Sequence, residues 1–205
     1  MSGEKLYLYP KWLRIWHGIN ALSIIILIIS GISMQYSSVE NPLLSFELAV
    51  YLHNIFGVIT AVNYLFFFIA NLTTSNGRAY LLKMKGLVER LILQSKYYLF
   101  GYFKGEAKPF PISRDNKFNP LQRVAYVSAM YGFVPLVIIT GLALLYPEII
   151  IERVLGSSGI MLTAILHATM GFMISLFLII HLYVASVGKN PFKNYKSIVS
   201  GYHED

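Results

Sequence analysis

The chain has 205 residues, enough for one domain. Its apolar share of 56% and mean hydropathy of +0.57 exclude an ordinary soluble protein and indicate a membrane protein. The net charge is +7 and there is no cysteine, which excludes disulfides, cysteine-ligated iron–sulfur clusters and covalent haem attachment.

Four apolar runs predict membrane-spanning helices at about 14–36, 48–70, 121–146 and 160–186. Each run is long enough to cross about 30 Å of hydrocarbon, and backbone groups in lipid must be bonded within the segment. The first run is too long for a typical signal peptide, and no A-x-A site ends it. The predicted fold class is an all-α membrane protein, a four-helix bundle that forms a single domain over 1–205.

The sequence of the connection 71–120 predicts ordered structure rather than a flexible linker. Residues 71–77 are typical of a turn. Across 80–103, apolar residues alternate with basic ones, which predicts an amphipathic helix lying on the membrane surface, with a break at Gly86 left open. Three prolines in 105–120 predict an irregular return to the third helix.

The basic residues predict how the chain crosses the membrane. Sixteen of the 17 lie in the N-terminal end, the connection 71–123 or the C-terminal tail, and these include Lys5 and Lys189. The short connections 37–47 and 147–159 hold Arg153 and four glutamates, Glu40 among them. Positive charge stays in the cytoplasm, so both termini and the long loop are predicted to be cytoplasmic. This distribution explains the net charge without a nucleic-acid partner.

Four histidines fall at two predicted depths. His167 and His181 are fourteen residues apart on one helix, which leaves them within about 40° of the same face and separated by a rise of about 21 Å. With the predicted topology, His17 lies at the cytoplasmic depth of His181, and His53 lies at the outer depth of His167.

Two stacked b-type haems require four such imidazoles, two for each iron, with the ligating nitrogens about 4 Å apart across the ring. We therefore predict an inner haem held by His17 and His181 and an outer haem held by His53 and His167.

Glycines beside these ligands are candidates for haem clearance. Gly57 and Gly171 each follow a histidine by four residues, on the same helix face. Gly31 lies fourteen residues after His17, at the depth of the outer pair. The alternative is that these glycines serve helix packing alone.

Other functions for the histidines remain open at this point. Each is a candidate for a hydrogen-bonded polar residue within the bundle, for a proton relay, or for a zinc ligand in a small transporter. Transporters usually carry acidic partners in the same helices, and the four predicted spans contain no Asp or Glu. His203, in the polar tail, is predicted to be solvated.

Several segments resemble the membrane cytochrome b subunits of thiosulfate reductase-like enzymes, relatives of the cytochrome b subunits of formate dehydrogenase and nickel–iron hydrogenase. The resemblance runs almost end to end and rests on the paired histidines, the loop and the NPLQ motif. The matching segments are WHGINALSIIILIISGI (16–32), HNIFGVITAVNYLFFFIANL (53–72), GLVERLILQSKYYLFGYFKGEAKPFP (86–111), KFNPLQRVAY (117–126), TGLALLYP (140–147), the H-x13-H pair with Leu182-Tyr183, and GYHED (201–205).

The resemblance implies an electron-transfer and quinone-reactive subunit rather than a catalytic one, in a bacterial or archaeal cytoplasmic (inner) membrane. It implies two haem b groups, exchange with menaquinone or ubiquinone, and iron–sulfur and catalytic partner subunits docked on the outer face. It further implies a quinone site near the inner haem, with Asn119 and Gln122 as the matching polar residues. The alternative for Asn119 is a helix cap before Pro120.

Haem propionates need cationic partners, for which Arg14 is a candidate inside and Arg153 outside. Tyr9, Trp12 and Trp16 are predicted to mark the inner membrane interface. Two rival functions stay open: a stand-alone quinone-linked b-type cytochrome, and a small proton or metal transporter.

Overall fold

The computed structural model describes residues 6–36, 43–113, 116–187 and 191–203. Lys5, Glu40 and Lys189, which enter the charge-based topology, lie outside the described residues. Helices are α1 (Lys11–Tyr36), α2 (Phe46–Thr73), α3 (Leu87–Lys96), α4 (Pro120–Leu145), α5 (Gly159–Ser186) and α6 (Lys193–Ser200). Two-residue strands are β1 (Leu6–Tyr7), β2 (Arg153–Val154), β3 (Ser157–Ser158) and β4 (Tyr202–His203), and 3₁₀ turns lie at Ser75–Tyr80 and Pro147–Ile149.

The four predicted membrane spans are confirmed as helices α1, α2, α4 and α5, each long and apolar enough to cross a bilayer. Side-chain caps fix where three of them begin. The hydroxyls of Ser45 and Ser158 accept from the backbone N–H groups of Leu48 and Met161, and Asn119 caps α4. Apolar side chains cover the outer surfaces of these helices, as expected where the surrounding medium is lipid.

Helix α4 is not uniform. A π-helical turn at Ala129–Phe133 separates two α-helical halves, and Pro135 follows it directly. Proline has no N–H to donate and its ring displaces the carbonyl one turn earlier, which accounts for the wider turn at this point.

Helix α1 packs along α2, α4 packs along α5, and α2 contacts the second half of α4. Trp16 belongs to the core where α1 meets α2: its indole donates to the carbonyl of Asn63 at 3.0 Å and its ring stacks on Phe67 at 4.3 Å. The prediction that Trp16 marks the interface was therefore wrong. A buried indole N–H needs an acceptor, and α2 supplies one inside the bundle.

The loop 71–120 differs in detail from its prediction. Helix α2 runs on to Thr73, so the turn begins later than residue 71. Residues 81–86 are not helical. Helix α3 begins directly after Gly86, whose φ of +64° is left-handed and incompatible with a helix that continues from before it. The described residues of 105–119 form no helix, as the prolines predicted.

The first and last described segments of the chain meet. Strand β1 pairs with β4 in antiparallel register, Leu6 opposite His203 and Tyr7 opposite Tyr202. His203 is 3% exposed, so the prediction that it is solvated was wrong. Strand pairing holds the tail against the N-terminal segment, an effect that its polar composition does not reveal.

Candidate functional site

The inner histidine pair joins α1 to α5. The ring centroids of His17 and His181 lie 6.3 Å apart. Phe177, one turn before His181, stacks on its ring at 5.7 Å, and the hydroxyl of Tyr126 on α4 lies 3.3 Å from its Nδ1 atom. These contacts limit the rotation of the His181 ring.

The outer histidine pair joins α2 to α5. The ring centroids of His53 and His167 lie 6.0 Å apart. Each outer ring contacts a buried hydroxyl from one of the other two spanning helices. Ser30 Oγ of α1 lies 3.0 Å from Nδ1 of His53, and Thr140 Oγ1 of α4 lies 3.1 Å from Nδ1 of His167.

The hydroxyl hydrogens identify the tautomer of the outer rings. Ser30 donates to the carbonyl of Ile26 at 2.7 Å, and Thr140 donates to that of Leu136 at 2.7 Å. With these hydrogens engaged, each hydroxyl oxygen accepts, so Nδ1–H of His53 and of His167 donates. Each outer ring then keeps the Nε2 lone pair available for a metal.

Glycines give the outer rings room. A Cβ on Gly31 would lie 3.5 Å from Cε1 of His53, and one on Gly141 would lie 3.0 Å from Cε1 of His167. Gly31 therefore adjoins the ring of His53, and its predicted role in clearing space for a porphyrin stays a prediction. A Cβ on Gly57 or Gly171 would meet no described atom within 4 Å, so their role in haem clearance stays a prediction.

The ring separations fit axial ligation of a haem. An iron–nitrogen bond of about 2 Å plus about 1.2 Å from nitrogen to ring centre, taken on both sides, gives roughly 6.4 Å between centroids. The observed 6.3 and 6.0 Å match this value at both pairs. Across the described ranges, no three His, Cys, Asp or Glu side chains gather as a zinc site requires.

Comparisons with known proteins identify the family of this chain. The model of the family described as prokaryotic cytochrome b561 matches residues 8–201. The chain belongs to this family. A relative, the "Putative cytochrome YdhU" of Escherichia coli (strain K12), is 38% identical over 201 residues, covering 98% of this chain and 76% of the relative. The protein is thus a membrane b-type cytochrome that transfers electrons, and family membership favours haem ligation over a transporter role.

The predicted quinone residues of this cytochrome form the start of α4. Asn119 Oδ1 accepts from the backbone N–H of Gln122 at 2.9 Å, and Gln122 Oε1 accepts from the backbone N–H of Asn119 at 3.1 Å. Asn119 Nδ2 also donates to the hydroxyl of Tyr98 at 2.8 Å. The capping alternative is confirmed, and the quinone role of both residues stays a prediction.

The candidate propionate partners lie at opposite ends of the bundle. Arg14 approaches the tail, where a Cβ on Gly201 would be 3.3 Å from one of its guanidinium nitrogens. Arg153 is exposed in the β2–β3 hairpin, opposite Ser158. Neither placement tests a propionate contact, so both stay predictions.

Sequence reasoning missed Ser30, Thr140, Gly141 and Tyr126. A signal for three of them was present: a hydroxyl residue followed by glycine recurs at 30–31 and 140–141, once for each outer ligand.

Lys117 is a further missed group, at the cytoplasmic end by the predicted topology. It is 9% exposed, its Nζ atom lies 4.7 Å from the ring centre of Tyr9, and it donates to Asn76 Oδ1 at 3.0 Å. Burial lowers the pKa of Lys117 to about 8.

Phe118, next in the chain, packs on Tyr126, which in turn contacts His181.

Proposed function

We propose that this cytochrome is the two-haem membrane subunit that carries electrons between the quinone pool and a partner subunit of a respiratory oxidoreductase. The observation that supports it is the pairing of four histidines, 6.3 Å apart at one depth and 6.0 Å apart at the other. When bound, b-type haem supplies reversible one-electron transfer. The residues of the chain fix where that chemistry takes place.

Helix α5 is central to the proposal because it contributes one ligand to each pair. Fourteen residues of a continuous helix hold His167 and His181 about 21 Å apart along its axis. His17 and His53 face them from two other helices, and the hydroxyls of Ser30 and Thr140 orient the outer rings.

We place the quinone site near the inner pair, by resemblance, with Asn119 and Gln122 as its polar residues. The bonds between these two side chains and the backbone mean that a quinone oxygen must compete with the capping box or take a remaining amide hydrogen. The hydroxyl of Tyr126, in the second turn of α4, links this region to His181. Menaquinone and ubiquinone both suit such a site.

We place both termini and the loop 71–120 in the cytoplasm, in the inner membrane of a bacterium or archaeon. The charge distribution supports this orientation, and the pairing of β1 with β4 is consistent with two ends on one side.

We assign the partners to the thiosulfate reductase-like type: an iron–sulfur subunit and a catalytic subunit docked on the outer face. Support comes from the hairpin β2–β3 and the turn before it, where Ile149, Ile151 and Leu155 expose apolar side chains. Leu155 holds a φ of +51°, a conformation that costs energy for leucine. An exposed apolar side chain in an unfavourable conformation is typical of a contact surface.

Haem content tests the core of the proposal. A reduced-minus-oxidised spectrum and a haem-to-protein ratio of two are expected for the purified protein. Replacing His53 or His167 with alanine should remove one haem and leave the other. A ratio of one in the unmodified protein, or loss of both haems in a folded variant, contradicts the two-site arrangement.

Co-purification tests the partner assignment against a stand-alone cytochrome. Leu155→Asn removes the apolar side chain while asparagine accepts the positive φ, so the hairpin keeps its shape. The variant should retain both haems and lose its iron–sulfur partner on purification. Isolation of the unmodified protein alone from its native membrane, active with quinone, supports the stand-alone alternative.

A further inference from the structure

A cavity of about 390 Å³ lies where residues 82–90, 109–113 and 116–118 meet the start of α4, and none of the four paired histidines lines it. Much of its wall is apolar, formed by Leu82, Leu87, Phe110, Phe118 and neighbouring prolines. This volume falls in the range of small-molecule sites, roughly 300–1,000 Å³. The cavity therefore has the size and the lining for an amphiphilic molecule.

Three cationic residues also line this cavity: Lys83, Arg90 and Arg123. Among the described lining residues there is no Asp or Glu. Glu89, the neighbour of Arg90 in the sequence, approaches Gly86 and does not line the cavity. The described lining thus carries positive charge without a compensating carboxylate.

The two arginines are held in place, yet their donors are not all used. Arg90 donates to the carbonyl of Lys85 at 2.6 Å and to that of Lys83. Arg123 is 9% exposed and reaches the carbonyl of Leu81 at 3.5 Å, while its buried Nε has no hydrogen-bond partner among the described residues. A buried charged donor without an acceptor is costly, which indicates a ligand that accepts.

We propose that this cavity binds the phosphate group of an anionic phospholipid. Guanidinium groups match phosphate oxygens in geometry and charge, and the apolar wall suits the glycerol and the first part of an acyl chain. Arg123 lies in the first turn of a membrane-spanning helix, at the depth where lipid headgroups meet the hydrocarbon. A quinone has no net charge and would offer no anionic group to the three cations of the described lining.

Native mass spectrometry of the haem-loaded full chain in detergent tests the proposal. The probes are dihexanoyl-phosphatidylglycerol, dihexanoyl-phosphatidylcholine and inorganic phosphate. We expect one phosphatidylglycerol to bind at least about tenfold more tightly than phosphatidylcholine, because the cations favour a net negative headgroup. Arg90→Gln combined with Arg123→Gln should weaken phosphatidylglycerol binding roughly tenfold or more, through the loss of charge-assisted hydrogen bonds.

Arg78→Gln is the matched control, since it removes one exposed cation of the same loop outside this cavity. It should leave binding within about twofold of the unmodified protein. Arg90→Lys keeps the charge and loses the planar fork, and covers the case in which the double variant does not fold. An intact haem spectrum reports folding for each variant.

Equal binding of the two lipids, or equal weakening by Arg78→Gln and the double variant, overturns the proposal. Inorganic phosphate binding as tightly as phosphatidylglycerol overturns its assignment to a lipid, since the apolar wall would then contribute nothing. Unchanged binding in a folded Arg90→Lys variant contradicts recognition by the guanidinium fork.

Discussion

The side chains of Ser30 and Thr140 hold Nδ1 of His53 and of His167 at 3.0 and 3.1 Å. Each hydroxyl is buried and bonded to its own helix, so its position depends on the backbone and not on a flexible side chain. An acceptor at Nδ1–H makes the imidazole a stronger electron donor through its other nitrogen. At this scale, two hydroxyls set both the tautomer and the basicity of His53 and His167.

Ser30→Ala and Thr140→Val should raise the midpoint potential of one haem and leave the other unchanged. The lost hydrogen bond is worth about 0.5–1.5 kcal/mol, which corresponds to roughly 20–60 mV for one electron. Potentiometric titration of the absorbance spectrum measures both potentials. Ser33→Ala is the control, because Ser33 is buried on the same helix and its hydroxyl meets no partner in the described structure. A shift of equal size in the control would remove the role assigned to Ser30.

Lys117 should make stability rise with pH. Burial lowers the pKa of Lys117 to about 8, against about 10.4 in the unfolded chain. Between these values the unfolded chain holds a proton that the folded chain has released, so the free energy of unfolding increases with pH. Relative to Lys117→Met, the unmodified protein should gain at most about 1.4 kcal/mol per pH unit between pH 8 and 10, and about half of that near pH 8, where the folded lysine is half protonated.

Denaturant unfolding of both proteins at a series of pH values measures this difference. Burial also raises the pKa of Tyr9, whose ring lies beside Lys117, but that tyrosine is present in both proteins and its effect cancels. Parallel pH profiles for the two proteins would show that the folded state keeps Lys117 charged.

At the scale of elements, α4 fits against α5 through glycine. Gly141 allows the His167 ring to lie close to the backbone, since a Cβ there would be 3.0 Å from Cε1. Gly132, on the same helix, has no described atom within 4 Å of its Cβ position. The two glycines therefore differ in what a methyl group would do, although both stand in one apolar helix.

Gly141→Ala should displace the His167 ring and reduce occupancy of the outer haem, whereas Gly132→Ala should leave both haems in place. Overpacking of this kind costs about 1–3 kcal/mol. The haem-to-protein ratio and the thermal unfolding temperature measure the effect. Full outer-haem occupancy and unchanged unfolding in Gly141→Ala would mean that α4 shifts to accommodate the methyl group at no cost.

At the scale of the whole molecule, two helix pairs and the joined ends form one unit. Strand β4 adds the tail to β1, and the carbonyl of Gly201 accepts from the backbone N–H groups of Leu8 and Tyr9. The paired strands β1 and β4 therefore lie on one side of the membrane, and the charge distribution predicts that side to be the cytoplasm.

The absence of cysteine allows a direct test of sidedness. A single cysteine at Lys104→Cys or Glu152→Cys replaces an exposed residue in the long loop or in an outer connection. In intact cells, a membrane-impermeant maleimide should label the Glu152→Cys protein and spare the Lys104→Cys protein. Inverted vesicles should give the opposite pattern, and labelling of Lys104→Cys in intact cells would reverse the proposed topology.

Much of this architecture follows from local sequence. The four spans can be predicted because about twenty predominantly apolar residues have few alternatives to a helix in lipid, and Asn119 before Pro120 marks a helix start by itself. The fourteen-residue spacing of His167 and His181 likewise fixes their common face, because helix geometry is regular over that length. The predicted amphipathic segment began too early, because α3 starts only after Gly86. Gly86 ends the preceding stretch with a left-handed backbone conformation, and the conformation of one glycine does not show in the hydropathy pattern.

The amino-acid order by itself determined the four spanning helices, the cap at Asn119 and the two predicted depths of histidine, because these depend on hydropathy, local capping chemistry and helical periodicity. Tertiary structure decided which hydroxyl meets which ring, that Trp16 and His203 are buried, and that Lys83 and Arg90 of the long loop line one cavity with Arg123 of α4. Such contacts join residues far apart in the chain. Their partners are set by how helices pack and strands pair, which no local pattern encodes.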